Sequence, residues 1–230
     1  MGSIETSSPV RVRCKGILFD MDGILISSLG SVERSWTRWA LMRGVDPAYA
    51  IRIAHGCRSV ETIKRLRPDL DIEAENLVIE NFEIEDTEGV ALLPGIQRLL
   101  AALPKDRWTV VTSATEPLAR VRLAAGGIPV PERIVTAESV QEGKPHPEPY
   151  LAGAALLGLR PEDCVVFEDA ASGTEAGHAA GCTVIATTFS HSVESLAAAD
   201  YLVANLTGMG VRNLGDQDGL ELSFTPLAGR

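Results

Sequence analysis

The sequence predicts an α/β chain: a parallel sheet covered by helices on both faces, interrupted after its first strand by a smaller helical unit. Three observations carry this. The apolar run Gly16-Ile17-Leu18-Phe19 stops at Asp20, as a buried strand does on reaching its loop. Residues 31–88 keep a helical, charge-rich character with no convincing strand. From Leu93 onward, short apolar runs alternate with helical segments, the pattern of parallel strands joined by helical crossovers.

In chain order, residues 1–9 are polar and read as a disordered tail. Their start, Met1-Gly2-Ser3-Ile4-Glu5-Thr6, fits the loose myristoylation pattern, but no basic patch accompanies it and Glu5 carries the wrong charge for a membrane surface. Residues 10–20 read as one strand entering a core. Over residues 31–43, Val32, Trp36, Trp39, Ala40 and Met42 fall at helical spacing, and Gly44 closes the helix. Pro68 and the acidic residues 83–88 punctuate the rest of this block. At nearly sixty residues the block is better read as a separate lobe, with Trp36 and Trp39 packing its interior, than as a cover for the sheet edge. Leu93-Pro94-Gly95 opens a helix over residues 96–103, and residues 108–112 follow as a strand. Further strands are predicted at 133–136, 164–167, 183–187 and 201–203. Helices are predicted at 116–125, 147–157, 172–180 and 192–198. Beyond about Gly208 the chain is glycine-rich and weakly patterned, and only a short strand at 220–224 is assigned.

Composition narrows the function. The chain has 230 residues, 45% hydrophobic and 23% charged, ordinary for a globular protein. Its formal net charge of −10 disfavours nucleic acid or an anionic membrane as partners. An anionic small molecule remains compatible, provided local cations reverse the global sign. The four cysteines, Cys14, Cys57, Cys164 and Cys182, form no CxxC pair and no zinc spacing, and no secretory signal is present. Reduced thiols in a cytoplasmic protein are expected.

The chemistry gathers where strands end, which is where open parallel sheets place their ligands. Asp20 and Asp22 follow the first strand, with Gly23 allowing the backbone to turn. In extended chain their carboxylates point to the same side about 6.6 Å apart and repel, so folding alone gives little reason for the pair. Thr112 and Ser113 follow the second strand. Lys144 stands in Gln141-Glu142-Gly143-Lys144-Pro145-His146-Pro147. Glu168 and Asp169 follow Cys164-Val165-Val166-Phe167. Each carboxylate pair near 4 Å would repel by about 4 kcal/mol at an effective dielectric of 20, so a cation belongs among them. Oxygen-only ligands suit Mg2+, which uses a few carboxylates together with a substrate phosphate. Lys144 adds a second positive charge. The Ser113 hydroxyl and main-chain N–H groups at the start of the next helix offer neutral donors to phosphate oxygens.

These four motifs, in this order, resemble the haloacid dehalogenase superfamily over nearly the whole chain. The glycerol-3-phosphatase and sugar-phosphatase branch is the nearest match. It is carried by Thr112-Ser113-Ala114-Thr115, by residues 142–150 (EGKPHPEPY), by residues 166–170 (VFEDA), by Ala180-Gly181-Cys182 and by Ala186-Thr187-Thr188-Phe189. The segment His55-Gly56-Cys57-Arg58-Ser59 resembles the substrate loop of that branch's helical cap. Two departures stand out. Ile24 replaces a common Thr after the first-motif glycine, and Ile26-Ser27-Ser28 replaces a common Asp a few residues on; neither touches the nucleophile or the acid/base.

The resemblance implies a Rossmann-like core with a small α-helical cap inserted after the first strand. Residues 10–28 and 90–210 would form the core, 29–89 the cap, and 211–230 a segment of unassigned structure. Asp20 would be the nucleophile that forms an aspartyl-phosphate, and Asp22 the acid/base. The Asp20 side chain, the Asp22 carbonyl and Asp169 would hold Mg2+, with Glu168 direct or through water. Ser113, Ala114 and Lys144 would bind the phosphoryl group, and Arg58 would reach substrate from the cap. The implied activity is hydrolysis of small sugar or polyol phosphates by a monomer. A sugar phosphomutase of the β-phosphoglucomutase type shares all four motifs and is the main alternative. A non-catalytic binding protein on the same fold would require a damaged nucleophile or acid/base, and both are intact.

Overall fold

The computed structural model describes residues 8–54, 57–215 and 217–228. In chain order the elements are β1 (Val10–Cys14), β2 (Gly16–Phe19), β3 (Ile26–Ser27), α1 (Leu29–Arg43), α2 (Pro47–Ala54), α3 (Ser59–Leu66) and α4 (Ile72–Glu85). They continue with β4 (Ala91–Leu92), α5 (Ile96–Ala102), β5 (Trp108–Val110), α6 (Glu116–Ala125), α7 (Glu148–Leu156), β6 (Cys164–Glu168) and α8 (Ala171–Ala179). The last strands are β7 (Thr183–Thr187), β8 (Tyr201–Val203), β9 (Gly210–Gly215) and β10 (Gly219–Phe224).

Five strands form a parallel, Rossmann-like sheet in the order β5-β2-β6-β7-β8. β2 and β6 are buried on both faces, which is why they read as unbroken apolar runs. Their side chains alternate between two cores. Ile17, Phe19, Val165 and Phe167 enter one, and Leu18 and Val166 the other. Phe19 stacks on Phe167 at 5.2 Å between ring centroids and meets Trp108 edge-on at 5.9 Å. The strand order places the ends of β5, β2 and β6 side by side at one edge of the sheet.

The predicted single strand over residues 10–20 is two strands in different sheets. In β1 the sequence Val-Arg-Val-Arg-Cys is half exposed in alternation, whereas Gly16-Ile17-Leu18-Phe19 is wholly buried. Alternation belongs to a sheet with one wet face and a continuous apolar run to one with none. β1 accordingly pairs antiparallel with β10, and β10 with β9, Val10 lying opposite Phe224. The glycine-rich segment, expected to hold only a short strand, therefore forms a hairpin of β9 and β10. The predicted strand at 133–136 reduces to a single bridge between Val111 and Val135. The predicted helix at 192–198 is a 3-10 turn, Val193–Leu196.

The chain leaves the sheet through β3 and returns through β4. These two short strands pair antiparallel, Ile26 opposite Leu92, as a ribbon at the root of the helical insert. Between them α1–α4 bury a cluster of their own, built on Trp36, Trp39, Ala40, Ile63 and Ile79. The Trp39 indole N–H donates to Glu75 at 2.8 Å, and Arg43 Nε donates to the same oxygen at 2.8 Å. No helix among the described residues is long and apolar enough to cross a membrane. All four cysteines are free; Cys57 is exposed and the other three are buried.

Candidate active site

A cavity of about 150 Å3 opens between the edge of the parallel sheet and the insert. Asp20, Asp22, Ser113, Ala114, Lys144, Glu168 and Asp169 all line it, so residues spread over some 150 positions converge at one place.

At its centre is a buried ion cluster. Lys144 Nζ donates to Asp20 Oδ1 at 2.5 Å, to Glu168 Oε1 at 2.7 Å and to the Val111 carbonyl at 3.1 Å. Glu168 is also fixed by the Tyr150 hydroxyl at 2.8 Å and by the backbone N–H groups of Asp169 and Ala170, at 2.8 and 3.0 Å. Burial works against its charge, but Lys144 and these donors hold its carboxyl below the usual range. Burial likewise works against the Lys144 ammonium, yet Asp20 and Glu168 keep it firmly protonated. Asp20 fares differently. Burial pushes its carboxyl well above the ordinary range, with Glu168 and Asp169 adding to the rise and Lys144 only partly opposing it. Asp169 is pushed up to about 7 by burial and by the charge of Glu168, against a hydrogen bond from the Ser190 hydroxyl.

One lysine thus faces three buried carboxylates. Oxygens of Asp20, Glu168 and Asp169 lie within 4.8 Å of one another. An all-oxygen, under-neutralised set suits a hard divalent cation, and such a charge would return Asp20 and Asp169 to carboxylates. Two glycines are needed to bring the parts this close. Gly23 has φ +82°, and a Cβ there would sit 1.8 Å from Asp169 Oδ2. A Cβ on Gly173, in the first turn of α8, would lie 1.7 Å from Glu168 Oε1.

Asp22 is held apart from this cluster. Its side chain accepts from the Ser28 hydroxyl and from Arg122 Nη1 at 3.0 Å, so the Ile26-Ser27-Ser28 departure does touch the candidate acid/base, against expectation, because the β3 end folds back beside Asp22. Ser113 lies half-buried on the wall. The Ala114 N–H donates to Thr112 Oγ1 at 3.1 Å. Arg58 does not line the cavity. Its guanidinium donates to the carbonyls of Ala137 at 2.6 Å and Gln141 at 3.4 Å, and its stem packs over Gly143, beside Lys144. His55 and Gly56 of the same segment lie outside the described residues.

Sequence reasoning missed Arg122, Glu80, Glu83, Ser28, Tyr150 and Ser190. A signal for Arg122 exists. It lies four residues after Leu118 and three after Ala119, both buried, so the helical period puts a guanidinium on the buried face of α6. Glu83 lies four residues after the buried Ile79 on α4. A charge on the apolar face of a helix is the informative exception to burial rules. Ser28, Tyr150 and Ser190 carry no such mark.

A family model described as haloacid dehalogenase-like hydrolase matches residues 14–181. Hexitol phosphatase A of Escherichia coli is 46% identical over 180 residues, covering 76% of this chain and 83% of that protein. Glycerol-1-phosphate phosphohydrolase 2 of Saccharomyces cerevisiae is 35% identical over 214 residues, covering 87% of this chain and 86% of that one. Among solved structures, CbbY from Rhodobacter sphaeroides in complex with phosphate superposes with a TM-score of 0.74 at 27% identity, covering 84% of this chain and 95% of that chain. With its parallel sheet, its strand-end motifs and these relatives, the chain belongs to the haloacid dehalogenase-like hydrolases, on the side of the family whose named members here are sugar and polyol phosphatases.

Proposed function

We propose that this protein is a Mg2+-dependent phosphoric monoester hydrolase that acts on small sugar or polyol phosphates through an aspartyl-phosphate on Asp20. The observation that carries this reading is the division of labour between the two first-motif aspartates. Asp20 sits in the buried cluster under Lys144, and Asp22 is held outside it by Ser28 and Arg122.

The residues would act as follows. The substrate phosphoryl group lies over Asp20, with Lys144 and the Ser113 hydroxyl stabilising charge on its oxygens. An Asp20 oxygen attacks phosphorus and the ester P–O bond breaks. Asp22 gives its proton to the departing alcohol. Asp22, now a carboxylate, takes a proton from the water that attacks the same phosphorus, and Asp20 is released. Mg2+, held by the Asp20 side chain, the Asp22 carbonyl and Asp169, would neutralise phosphate charge and keep Asp20 ionised. Glu168 has its donors already in place and serves to fix Lys144. The four-helix insert acts as a cap that keeps bulk water from the site.

The phosphomutase alternative needs a cation on the cap wall to hold a second phosphate. Among the described residues that line the cavity, α4 presents Glu80 and Glu83 there instead, which favours the phosphatase.

The test is to quench the enzyme in acid during turnover of p-nitrophenyl phosphate with Mg2+ and map the peptides. One phosphoryl group is expected on the peptide that contains Asp20, and none in Asp20→Asn. Phosphate release from the Asp20→Asn variant at the wild-type rate would overturn the covalent mechanism.

A further inference from the structure

A second part of the cavity wall, reached through Asp22, is chemically distinct from the lysine cluster. α4 contributes Glu80 and Glu83, and α6 contributes Arg122, preceded by Thr115 at its N-terminus. Thr115 Oγ1 donates to Glu80 Oε1 at 2.7 Å, which joins insert to core and fixes that carboxylate at the wall. Glu80 retains acceptor capacity, since a carboxylate offers about four lone-pair sites.

Arg122 is only 4% exposed. Its Nη1 is spent on Asp22, and Nη2 lies 3.5 Å from Glu83 Oε1. Nε and Nη2 have no hydrogen-bond partner. Buried N–H groups left unpaired cost about 1–3 kcal/mol, more when charged; both nitrogens lie beneath the cavity surface, so a ligand oxygen relieves that cost once the side chains over them shift. Glu83 is buried too, and burial pushes its carboxyl up to about 7 although Arg122 pulls it down. This wall therefore presents carboxylate acceptors with unspent donors just behind them, in a cavity that Leu29, Val32 and Trp36 also line.

The kind of substrate group that satisfies such a wall follows by elimination. A second phosphate could accept from Arg122 but would face two carboxylates. An ammonium group could donate to Glu80 but would meet the guanidinium. An alkyl chain would leave every polar group buried and unpaired. A hydroxyl both accepts and donates, and it is neutral. We propose that Glu80, Glu83 and Arg122 form a hydroxyl-recognising subsite that selects the polyhydroxylated tail of a monophosphate ester and rejects bisphosphates and alkyl phosphates. This deepens, and rests on, the phosphatase reading.

The experiment compares kcat/KM of the wild-type enzyme with Mg2+ on sorbitol 6-phosphate, n-hexyl phosphate and sorbitol 1,6-bisphosphate. p-Nitrophenyl phosphate serves as a control for phosphoryl chemistry. Sorbitol 6-phosphate should be preferred over each of the other two by at least about 100-fold, as expected where a site's polar groups would otherwise stay unpaired. Glu80→Gln, nearly isosteric, should reduce the preference over n-hexyl phosphate by at least tenfold. Similar kcat/KM on all three esters overturns the subsite while turnover of the control leaves the phosphatase standing. A preference unchanged in Glu80→Gln overturns the assignment to this wall. Inertness on every ester, control included, overturns the phosphatase reading and this inference with it.

Discussion

The two halves of the cavity solve the problem of buried charge in different ways. On the sheet side, Lys144 bonds two carboxylates and a carbonyl at once, and Glu168 is saturated by donors before any ligand arrives. On the other side, where α4 of the insert meets α6 of the core, the polar groups are incompletely paired. Arg122 keeps two nitrogens without hydrogen bonds, and burial alone would leave Glu83 protonated at mildly acidic pH. A saturated network suits chemistry that must recur identically in every turnover. An unsaturated one suits recognition, because the ligand completes it. The contrast teaches where to look for reaction and where for choice of substrate.

The comparison is best broken at the sheet side. Asp20→Asn removes the proposed nucleophile and should cut kcat by at least about 10^4-fold on every ester, p-nitrophenyl phosphate included. Substantial residual turnover would show that the sheet side does not hold the covalent chemistry. Mg2+ removal should match this in kind. EDTA should abolish turnover and added Mg2+ restore it, since the buried acids outnumber the lysine beside them. A metal-independent rate would refute that.

Stability effects follow. Lys144→Met would leave Asp20 and Glu168 buried without their cation and should cost about 3–5 kcal/mol, read by denaturant unfolding. Trp39→Ala in the insert should cost a similar amount, about 3–5 kcal/mol, through its cavity and the lost hydrogen bond to Glu75. The loss should stay local if the two halves are energetically separate. Amide exchange should then quicken in α1–α4 while β2 and β6 keep their protection. Uniform loss of protection would merge the halves into one cooperative unit.

The smallest expected effect is on pH dependence. Glu83 titrates at about 7 in the folded chain against 4.5 as its ordinary value. Its raised folded value contributes stability that is complete below pH 4.5 and lost as pH rises through about 7, roughly 3 kcal/mol at most. Glu83→Gln should flatten that part of the stability profile, and an unchanged slope would assign it to another group.

What the sequence disclosed tracks the same divide. Asp20, Asp22, Ser113, Glu168 and Asp169 were legible because polar residues follow apolar strands there, and strand order brings such ends together; Lys144 was legible from its Gly-Lys-Pro loop ahead of α7. Arg122 and Glu83 carried only the fainter mark of a charge on the buried face of a helix, and their pairing was not legible because each partner sits on an element distant in sequence. Arg58 was expected to reach substrate, but it turns instead to the carbonyls of Ala137 and Gln141, which no local pattern marks. The division of residues 10–20 into two strands was visible in the change from Val-Arg alternation to a continuous apolar run. It was missed because both stretches favour extended chain.

That division bears on how the molecule is made. β1 is synthesised before the other described elements, and its ladder partner among the described residues, β10, emerges more than 200 residues later. At about 5–20 residues per second the wait on a ribosome is roughly 10–40 s. For that time the Val10 and Val12 face and a whole row of backbone donors stand uncovered, while β2, next along the chain, can already join β5. During synthesis β1 thus remains an open, adhesive edge until the β9–β10 hairpin closes over it.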